Sequence, residues 1–425
     1  MNRVPPVLEY PKDVCFSCTK CGDCCRSFDL LLGPGERERL ADLDWTGRER
    51  DLVGARPAAR VKVAGLDGCH QLSRKPDGAC IYLGPENQCR IHQHFGAEAM
   101  PLMCRLYPFG FYAMGERTAV DVSFYCRSVS QGDGTPIGEA VADSARLLTT
   151  RDSTDTRRHR IRDQVSVDGA TMWDIEHHML SLLADGSLTP VDRVRCVLQF
   201  VRLATTGDPA QPTAAVLRRA MAKGIPIQIR DAPLEATMDK TQQAVFYQWL
   251  YLALNPAPRR FHQLAPAEQA TVHTQRETAG RRFRDRAGRP TVDGVELDVD
   301  FARIALVETG IFVSGDCRPG LDFLCAKIIG QKFLVAGLRE LPLVEAALKF
   351  LLCFPMAVWT SKALAADRGA AEVEEPDLRL AIRLIDRTLG QIPTSLLPPK
   401  QREVYDWVML ETDLVEAATN DLLVG

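Results

Sequence analysis

The chain has no long hydrophobic run and few cysteines outside its first third. Its most apolar stretch, residues 350–359, follows Lys349 and is shorter than the roughly 18 residues that cross a bilayer. We therefore expect a soluble protein with no membrane partner. Only four of the 14 cysteines come after Cys126. These are Cys196, Cys317, Cys325 and Cys353, which have no partners at ligand spacing and are expected to act as small hydrophobic residues.

The chain also lacks an excess of charge and a leader-like opening. A formal net charge of −3 and a pI near 6.3 give no general attraction to nucleic acid or to anionic lipid, so we expect neither partner. Residues 1–20 contain no apolar core and no small-residue cleavage site of the kind that marks a secretory signal. We therefore expect a cytoplasmic protein, in which thiols stay reduced.

Three common cofactor motifs are absent. No G-x-x-x-x-G-K-[ST] loop is present to bind nucleotide phosphates, and no G-x-G-x-x-G turn is present to bind a dinucleotide. The C-x-x-x-C-x-x-C spacing of radical S-adenosylmethionine enzymes also fails, because counting onward from Cys21 reaches Cys25 and then Phe28. Any cofactor site must be of another kind.

The N-terminal third is rich in cysteine instead. One short run contains five cysteines at C-x-x-C spacing, namely Cys15, Cys18, Cys21, Cys24 and Cys25. Such repeats bring thiolates onto one metal ion through tight turns, whereas adjacent cysteines fit simple disulfide pairing poorly. The run therefore favours a metal centre over structural disulfides.

The distribution of cysteine and of apolar periodicity predicts two domains. Residues 1–145, the head, alternate short elements with turns such as Pro76-Asp77-Gly78 and include a charged helical stretch over 36–43. Residues 146–425, the body, are expected to be α-helical, with a core segment over Leu321–Ala366. Three further helices are predicted from apolar spacing, over Met172–Leu183, Val191–Leu203 and Ala244–Leu254. The predicted fold is mainly α, with a small irregular α/β cysteine-rich metal-binding head before a larger α-helical domain.

Three segments of the head carry the candidate metal chemistry. The first runs from Phe16 to Cys25, with Gly22 allowing the backbone to turn between thiolates. The second pairs C-I-Y-L at 80–83 with C-R-I-H at 89–92, and the third is the C-R-L-Y-P-F stretch at 104–109. Four thiolates suit structural zinc and an iron–sulfur cluster equally, so the spacing leaves the metal open.

Together the segments resemble the cysteine-cluster family of zinc- or iron-chelating domains, whose pattern is C-x-x-C-G-x-C-C, then C-x-I-H, then C-R-x-Y-P-F. The resemblance covers residues 16–111, while Cys15, Cys69 and Cys126 lie outside the pattern and His70 is a second-tier candidate. The ligands implied by the resemblance are Cys18, Cys21, Cys24, Cys25, Cys80, Cys89, His92 and Cys104. These eight positions would serve two four-ligand sites, or one cluster with residues that shape it, and His92 would otherwise be a structural histidine.

A cysteine-cluster head before a long helical region is similar to the flagellin lysine N-methylase branch of this family. That resemblance implies a [4Fe-4S] cluster and methyl transfer from S-adenosylmethionine to a lysine of a protein substrate such as flagellin. Two alternatives stay open: a zinc- or iron-binding module that sequesters metal, and a metal-stapled interaction protein without catalysis. Whether the chain is an enzyme is therefore a hypothesis at this stage.

Methyl transfer to lysine requires a group that removes the proton of the ammonium, because a protonated amine cannot attack. The nearby candidates are Tyr82, Tyr107, Tyr112 and Asp121, although the tyrosines after Cys104 are also explained as core rings that bond a carbonyl. Arg90 and Arg105 each directly follow a candidate ligand. Either guanidinium is a candidate for cofactor binding, by offsetting thiolate charge or binding a carboxylate, and surface ion pairing explains them equally well.

Overall fold

A computed structural model provides the fold. It describes residues 7–61, 68–114, 117–148, 159–162, 165–206, 221, 237–256, 265–313, 317–336, 339–388, 403–408 and 412–424. Leu338, which falls in the apolar pattern of the predicted core segment, lies outside these residues.

The head consists of short strands and short helices. Its strands are β1 Val7–Glu9, β2 Cys15–Phe16, β3 Leu31–Leu32, β4 Ala58–Arg60, β5 His70–Leu72, β6 Phe109–Met114, β7 Arg117–Val122 and β8 Thr135–Pro136. Its helices are α1 Asp23–Ser27, α2 Glu36–Ala41, α3 Arg90–Phe95, α4 Leu102–Leu106, α5 Arg127–Gln131 and α6 Gly138–Arg146. Short 3-10 turns occupy Arg50–Leu52 and Ala97–Ala99.

Two small three-stranded sheets organise the head. One has the order β1-β7-β6, in which β1 is parallel to β7 and β6 is antiparallel to it. The other has the antiparallel order β3-β5-β4, and β2 pairs with β8. Strands this short cannot bury much apolar surface, so the head depends on other contacts for stability.

The body is mainly helical. Its helices are α7 Gly169–Leu183, α8 Pro190–Thr206, α9 Lys240–Leu254, α10 Pro266–Arg284, α11 Phe301–Ala305, α12 Gly310–Val313, α13 Arg318–Ile329, α14 Leu343–Leu351, α15 Cys353–Asp367, α16 Glu375–Asp386 and α17 Leu414–Val424. Residues 403–408 are also helical, and Lys332–Leu334 form a 3-10 turn. Two-stranded ribbons pair β9 His159–Arg162 with β10 Val165–Val167, β11 Thr291–Val292 with β12 Val295–Glu296, and β13 Val335–Ala336 with β14 Arg339–Glu340.

Two helices of the body begin at aspartate caps. The Asp168 carboxylate accepts a hydrogen bond from the Thr171 N–H at 2.8 Å, and Asp239 forms a capping box with Gln242. The three helices predicted from apolar spacing lie within α7, α8 and α9, and the predicted mainly α fold is confirmed.

Apolar residues form two separate clusters. The larger one joins strands β6 and β7 of the head to the long helices of the body, and Phe283 is its buried member from α10. The smaller one lies within the head and contains Leu40, Trp45, Leu52, Leu72, Tyr82 and Ile91. Because the larger cluster continues from the head into the body, the domain boundary after residue 145 stays a prediction.

One helical stretch is longer than the sequence suggested. Helices α14 and α15 follow one another without a break over Leu343–Asp367, which is long and apolar enough by composition to span a membrane. Within the structure, 89% of an 18-residue apolar stretch of this helix is buried. Such burial is typical of a core helix in a soluble protein.

Candidate metal centre

A large cavity lies where the head meets the body. It encloses about 1270 Å³, and we call it the junction cavity. Five of the eight predicted metal ligands line it, and these are Cys24, Cys25, Cys80, Cys89 and Cys104. The three predicted catalytic candidates Tyr107, Tyr112 and Asp121 line it as well.

Local turns bring the thiols to the junction cavity. Gly22, the residue before α1, has φ +76°, and a Cβ there would lie 2.7 Å from the Arg26 guanidinium and 3.0 Å from the Asn87 side chain. The predicted need for glycine at this turn is therefore confirmed. The Cys80 N–H donates to the Cys25 carbonyl at 2.9 Å, which ties the second cysteine segment to α1.

The thiols of Cys24, Cys80, Cys89 and Cys104 all have raised pKa values when no cation is near. A hydrogen bond with the Cys25 thiol, followed by burial, raises the pKa of Cys24. Burial raises the pKa of Cys80 to about 11 and the pKa of Cys89 and Cys104 above the ordinary value. For Cys104 the nearby thiols of Cys80, Cys89 and Cys24 add to this effect. A bound cation would reverse the balance, because it stabilises thiolates.

The donor set fits zinc or iron in its chemistry. Thiolates are the preferred ligands of both structural zinc and iron–sulfur clusters. None of the five cysteines that line the junction cavity is in a disulfide. Within the described residues, however, no group of three or more His, Cys, Asp or Glu side chains is arranged closely enough to hold a metal ion as it stands. The thiols would therefore have to draw together on binding.

Three predicted ligands lie away from the junction cavity. Cys18 and the imidazole of His92 are exposed, Cys21 is half-buried, and none of the three is among the lining residues. The eight predicted positions are thus not brought into one group, and their assignment as ligands stays a prediction.

The cysteines outside the family pattern are distributed along the head. Cys15 lies in β2, and Cys69 precedes His70 at the start of β5. Cys126 caps α5, and burial raises the pKa of its thiol to about 11, with Cys24 and Cys21 contributing. Cys126 therefore lies close enough to Cys24 and Cys21 for these two predicted ligands to raise the pKa of its thiol.

Arg90 and Arg105 both pair with carboxylates. Buried Arg90 lies 2.8 Å from Asp51 and 3.6 Å from Glu49. Arg105 lies 2.7 Å from Glu98 and lines the junction cavity, whereas Arg90 does not line it. Their cofactor role stays a prediction, and Arg105 is the better placed of the two.

A buried group of charges forms another part of the junction cavity lining. The Lys327 ammonium of α13 lies 3.0 Å from the Asp121 carboxylate of β7 and 2.8 Å from the Asp386 carboxylate of α16. It also donates to the Val122 carbonyl at 2.8 Å. We call Asp121, Lys327 and Asp386 the charge cluster.

The charge cluster contains two carboxylates and one ammonium, so negative charge is in excess. Burial alone would lower the pKa of Lys327, but the two carboxylates together hold it above its ordinary value. Burial raises the pKa of Asp121, opposed by Lys327 and reinforced by Asp386. Burial and Asp386 therefore make the Asp121 carboxylate a stronger base than a free aspartate, while Lys327 opposes this effect.

Sequence reasoning found Asp121 but missed Lys327 and Asp386. Lys327 falls within the predicted core segment and Asp386 lies beyond it, and both are more than 200 positions from Asp121 along the chain. A lysine within an otherwise apolar helix was the available signal, since charged residues are rarely fully buried without a partner.

The tyrosines near the charge cluster are protonated. Burial raises the pKa of Tyr112, with Asp121 contributing, and burial raises the pKa of Tyr107. Burial also raises the pKa of Tyr82, which stacks on Trp45 in the smaller apolar cluster. These hydroxyls are therefore better suited to donate hydrogen bonds than to accept a proton.

A protein-family model matches part of the head. Residues 17–127 match the family model CxxCxxCC, described as a "putative zinc- or iron-chelating domain". No curated protein and no solved structure is significantly similar to the chain. The match supports a metal-binding role, and the head is similar to the cysteine-cluster family of zinc- or iron-chelating domains.

Proposed function

We propose that this protein is a metal-dependent methyltransferase. In this proposal the head holds a [4Fe-4S] cluster, S-adenosylmethionine binds in the junction cavity, and a lysine of a protein substrate such as flagellin receives the methyl group. The supporting observation is that five cysteines of the head and the charge cluster line the same cavity. A domain that only stored metal would need the thiols but not the charge cluster.

The size of the junction cavity supports a bound small molecule. Its volume of about 1270 Å³ exceeds the roughly 300–1000 Å³ typical of small-molecule sites, so a cofactor and a substrate side chain would fit together. Apolar side chains such as Phe28 and Met100 and the polar charge cluster both contribute to its wall. An apolar wall with a few convergent polar groups is the usual composition of a binding site.

Thiols of the junction cavity would hold the metal centre. Cys24, Cys25, Cys80, Cys89 and Cys104 are the candidates by position. When bound, an iron–sulfur cluster supplies a redox-active and electrophilic centre beside the cavity.

Asp121 would accept the proton of the substrate lysine. The raised pKa of Asp121 makes its carboxylate a stronger base than a free aspartate, and Lys327 holds that carboxylate in place at 3.0 Å. The neutral amine would then form a nitrogen–carbon bond to the methyl group as the sulfur–methyl bond breaks. Tyr107 and Tyr112 would orient the amine by donating or accepting hydrogen bonds.

A second candidate is a module that binds zinc or iron for sequestration or delivery. Exposed Cys18 and the lack of a preformed ligand group among the described residues favour it, because both suit a metal that enters and leaves readily. This function predicts exchangeable metal and no response to S-adenosylmethionine.

The first test is an anaerobic purification of the full chain with iron, zinc and sulfide analysis, followed by titration with S-adenosylmethionine. Iron matching sulfide, a broad visible thiolate-to-iron band and a spectrum perturbed by S-adenosylmethionine would support the methyltransferase. Colourless protein with tightly bound zinc and no response would contradict it.

Matched variants assign the roles of individual residues. Cys104→Ser should lower the metal content, whereas Cys325→Ala, which alters a half-buried cysteine of the body, should not. Compared at equal metal loading, Asp121→Asn should slow methyl transfer to a lysine-containing flagellin by roughly a hundredfold or more. Equal activity in Asp121→Asn and wild type would exclude Asp121 as the proton acceptor.

A further inference from the structure

Helix α1, which carries Cys24 and Cys25, is held at both ends by residues outside the cysteine segments. At its start the Asp23 carboxylate accepts a hydrogen bond from the Arg383 guanidinium of α16. At its end the Ser27 hydroxyl bonds the Tyr125 hydroxyl. A helix of five residues cannot hold its own orientation, so these two contacts, together with the Cys80 N–H bond to the Cys25 carbonyl, fix where its thiols point.

The two contacts belong to one network of polar contacts, because Arg383 and Tyr125 also contact each other. Arg383 Nε donates to the Tyr125 carbonyl at 3.1 Å, and its guanidinium lies 5.2 Å from the centre of the Tyr125 ring. The side chain of Arg383 is 19% exposed and that of Asp23 is 28% exposed. The ion pair is therefore partly shielded from water. Its charges attract each other more strongly there than they would at an open surface.

The same network of polar contacts continues into the charge cluster. The Tyr125 N–H donates to Asp386 Oδ2 at 3.1 Å, while Asp386 Oδ1 lies 2.8 Å from the Lys327 ammonium. Asp386 lies three residues after Arg383 on α16, so both face the head from one side of the helix. An unbroken set of polar contacts thus connects Asp23, next to Cys24, with Asp121 in the junction cavity.

We infer that Arg383 is a positioning residue for the metal centre and that it couples metal binding to the charge cluster. Metal binding requires the thiols to draw together, so it must move or fix α1. Through Asp23, Arg383 and Tyr125, that change acts on Asp386 and hence on Lys327. Thermodynamic linkage is reciprocal: if metal binding stabilises these polar contacts, the contacts stabilise bound metal by the same free energy. Removing the contacts should therefore lower the affinity for metal. The inference rests on the metal-binding role of the head and not on methyl transfer.

The chain offers a matched control on the same helix. Arg379 lies one turn before Arg383 and also reaches the head, where it donates to the Ser130 carbonyl at 2.9 Å, but it makes no contact with α1. Arg383→Ala and Arg379→Ala therefore remove the same side chain from the same face. Only the first variant releases Asp23.

The experiment measures the affinity of the full-length protein for Zn²⁺ by competition with a chromophoric chelator. Arg383→Ala should weaken Zn²⁺ binding about tenfold or more, the usual effect of losing a residue that orients a ligand, whereas Arg379→Ala should change it less than twofold. Asp23→Asn should weaken binding similarly, and the double variant Asp23→Asn with Arg383→Ala should be no worse than Arg383→Ala alone. Additive losses, or equal losses in Arg383→Ala and Arg379→Ala, would overturn the inference.

Two milder variants keep the test decisive if Arg383→Ala does not fold. Tyr125→Phe keeps the ring and removes only the bond to Ser27, and Arg383→Lys keeps the charge and removes the planar fork. Both should retain the circular dichroism of the wild type and weaken Zn²⁺ binding several-fold. Asp386→Asn should weaken it as well, whereas Asp322→Asn on the neighbouring helix α13 should not. Unchanged affinity in folded Tyr125→Phe, Arg383→Lys and Asp386→Asn would refute the coupling, whatever the outcome for methyl transfer.

Discussion

Gly330 lies directly against the backbone of Asp121. A Cβ at Gly330 would be 2.4 Å from Asp121 Cα and 2.9 Å from the Asp121 backbone nitrogen. Because the obstacle is backbone, it cannot rotate away as a side chain would. This contact at the end of α13 sets the distance between the body and strand β7, across which Lys327 reaches Asp121.

Gly330→Ala is therefore expected to destabilise the protein. Pushing α13 away from β7 should cost about 1–3 kcal/mol and weaken the Lys327 contact with Asp121. Gly169→Ala is the matched control, because nothing lies within 4 Å of a Cβ at that helix position. Chemical denaturation of both variants measures the difference. A Gly330→Ala protein as stable as Gly169→Ala would contradict this account of the contact.

Lys327→Met is expected to leave two buried carboxylates without their counter-charge. The loss of stability at neutral pH should be about 3–5 kcal/mol. Without Lys327, burial and Asp386 hold the pKa of Asp121 above its unfolded value, opposed only by the weaker effect of Lys332. A group of this kind stabilises the fold below its unfolded pKa and loses that contribution as pH rises through its folded pKa. The deficit relative to wild type should therefore shrink as pH falls. Asp121→Asn in the same background should recover stability at neutral pH, and a deficit that is constant with pH would exclude this explanation.

The sequence predicted the head and the body but not the way in which they meet. The helices of the body follow from apolar spacing, and the glycine before α1 follows from the need to turn between thiols. Arg383, Asp386 and Lys327 occupy helical positions whose pattern indicates only which face is buried. Their partners in the head lie more than 200 residues away, and periodicity carries no information about such contacts. The family match likewise covers only residues 17–127 and gives no information about these contacts.

Buried Glu176 is expected to make stability depend on pH. Burial raises the pKa of Glu176 from 4.5 to about 8, and both of its oxygens lie 2.8 Å from the Gln331 amide nitrogen. The folded state keeps the proton between pH 4.5 and about 8, whereas the unfolded state releases it. Stability should therefore fall as pH rises through that window, by at most about 1.4 kcal/mol per pH unit.

Glu176→Gln tests the assignment of this pH dependence, because the amide keeps an acceptor for Gln331 without a proton to lose. Its unfolding free energy should vary less between pH 4.5 and about 8 than that of the wild type, and it should exceed the wild-type value near pH 8. Glu296→Gln, at an exposed strand position, should retain the wild-type profile. Identical profiles for Glu176→Gln and the wild type would assign the pH dependence to another group.

Removal of metal is expected to loosen the smaller apolar cluster before the larger one. Six buried residues make up the smaller cluster, and two candidate ligands, Cys80 and Cys89, pack against it. So small a core rarely supplies enough stability by itself and commonly relies on a bound metal. Trp45 reports on this cluster, since it stacks on Tyr82 at 5.6 Å and meets the Phe95 ring edge-on at 4.9 Å.

A strong chelator should therefore shift the emission of Trp45 to the red while leaving most of the helical circular dichroism intact. The long helices belong to the larger cluster, which contains none of the predicted ligands. Trp45→Phe should abolish the shift, because the remaining tryptophans lie in the body. Adding Zn²⁺ or reconstituting iron and sulfide should reverse it in the wild type. If the chelator left Trp45 unchanged, the smaller cluster would be stable without metal, and if it melted all helices together, the head and body would form one cooperative unit.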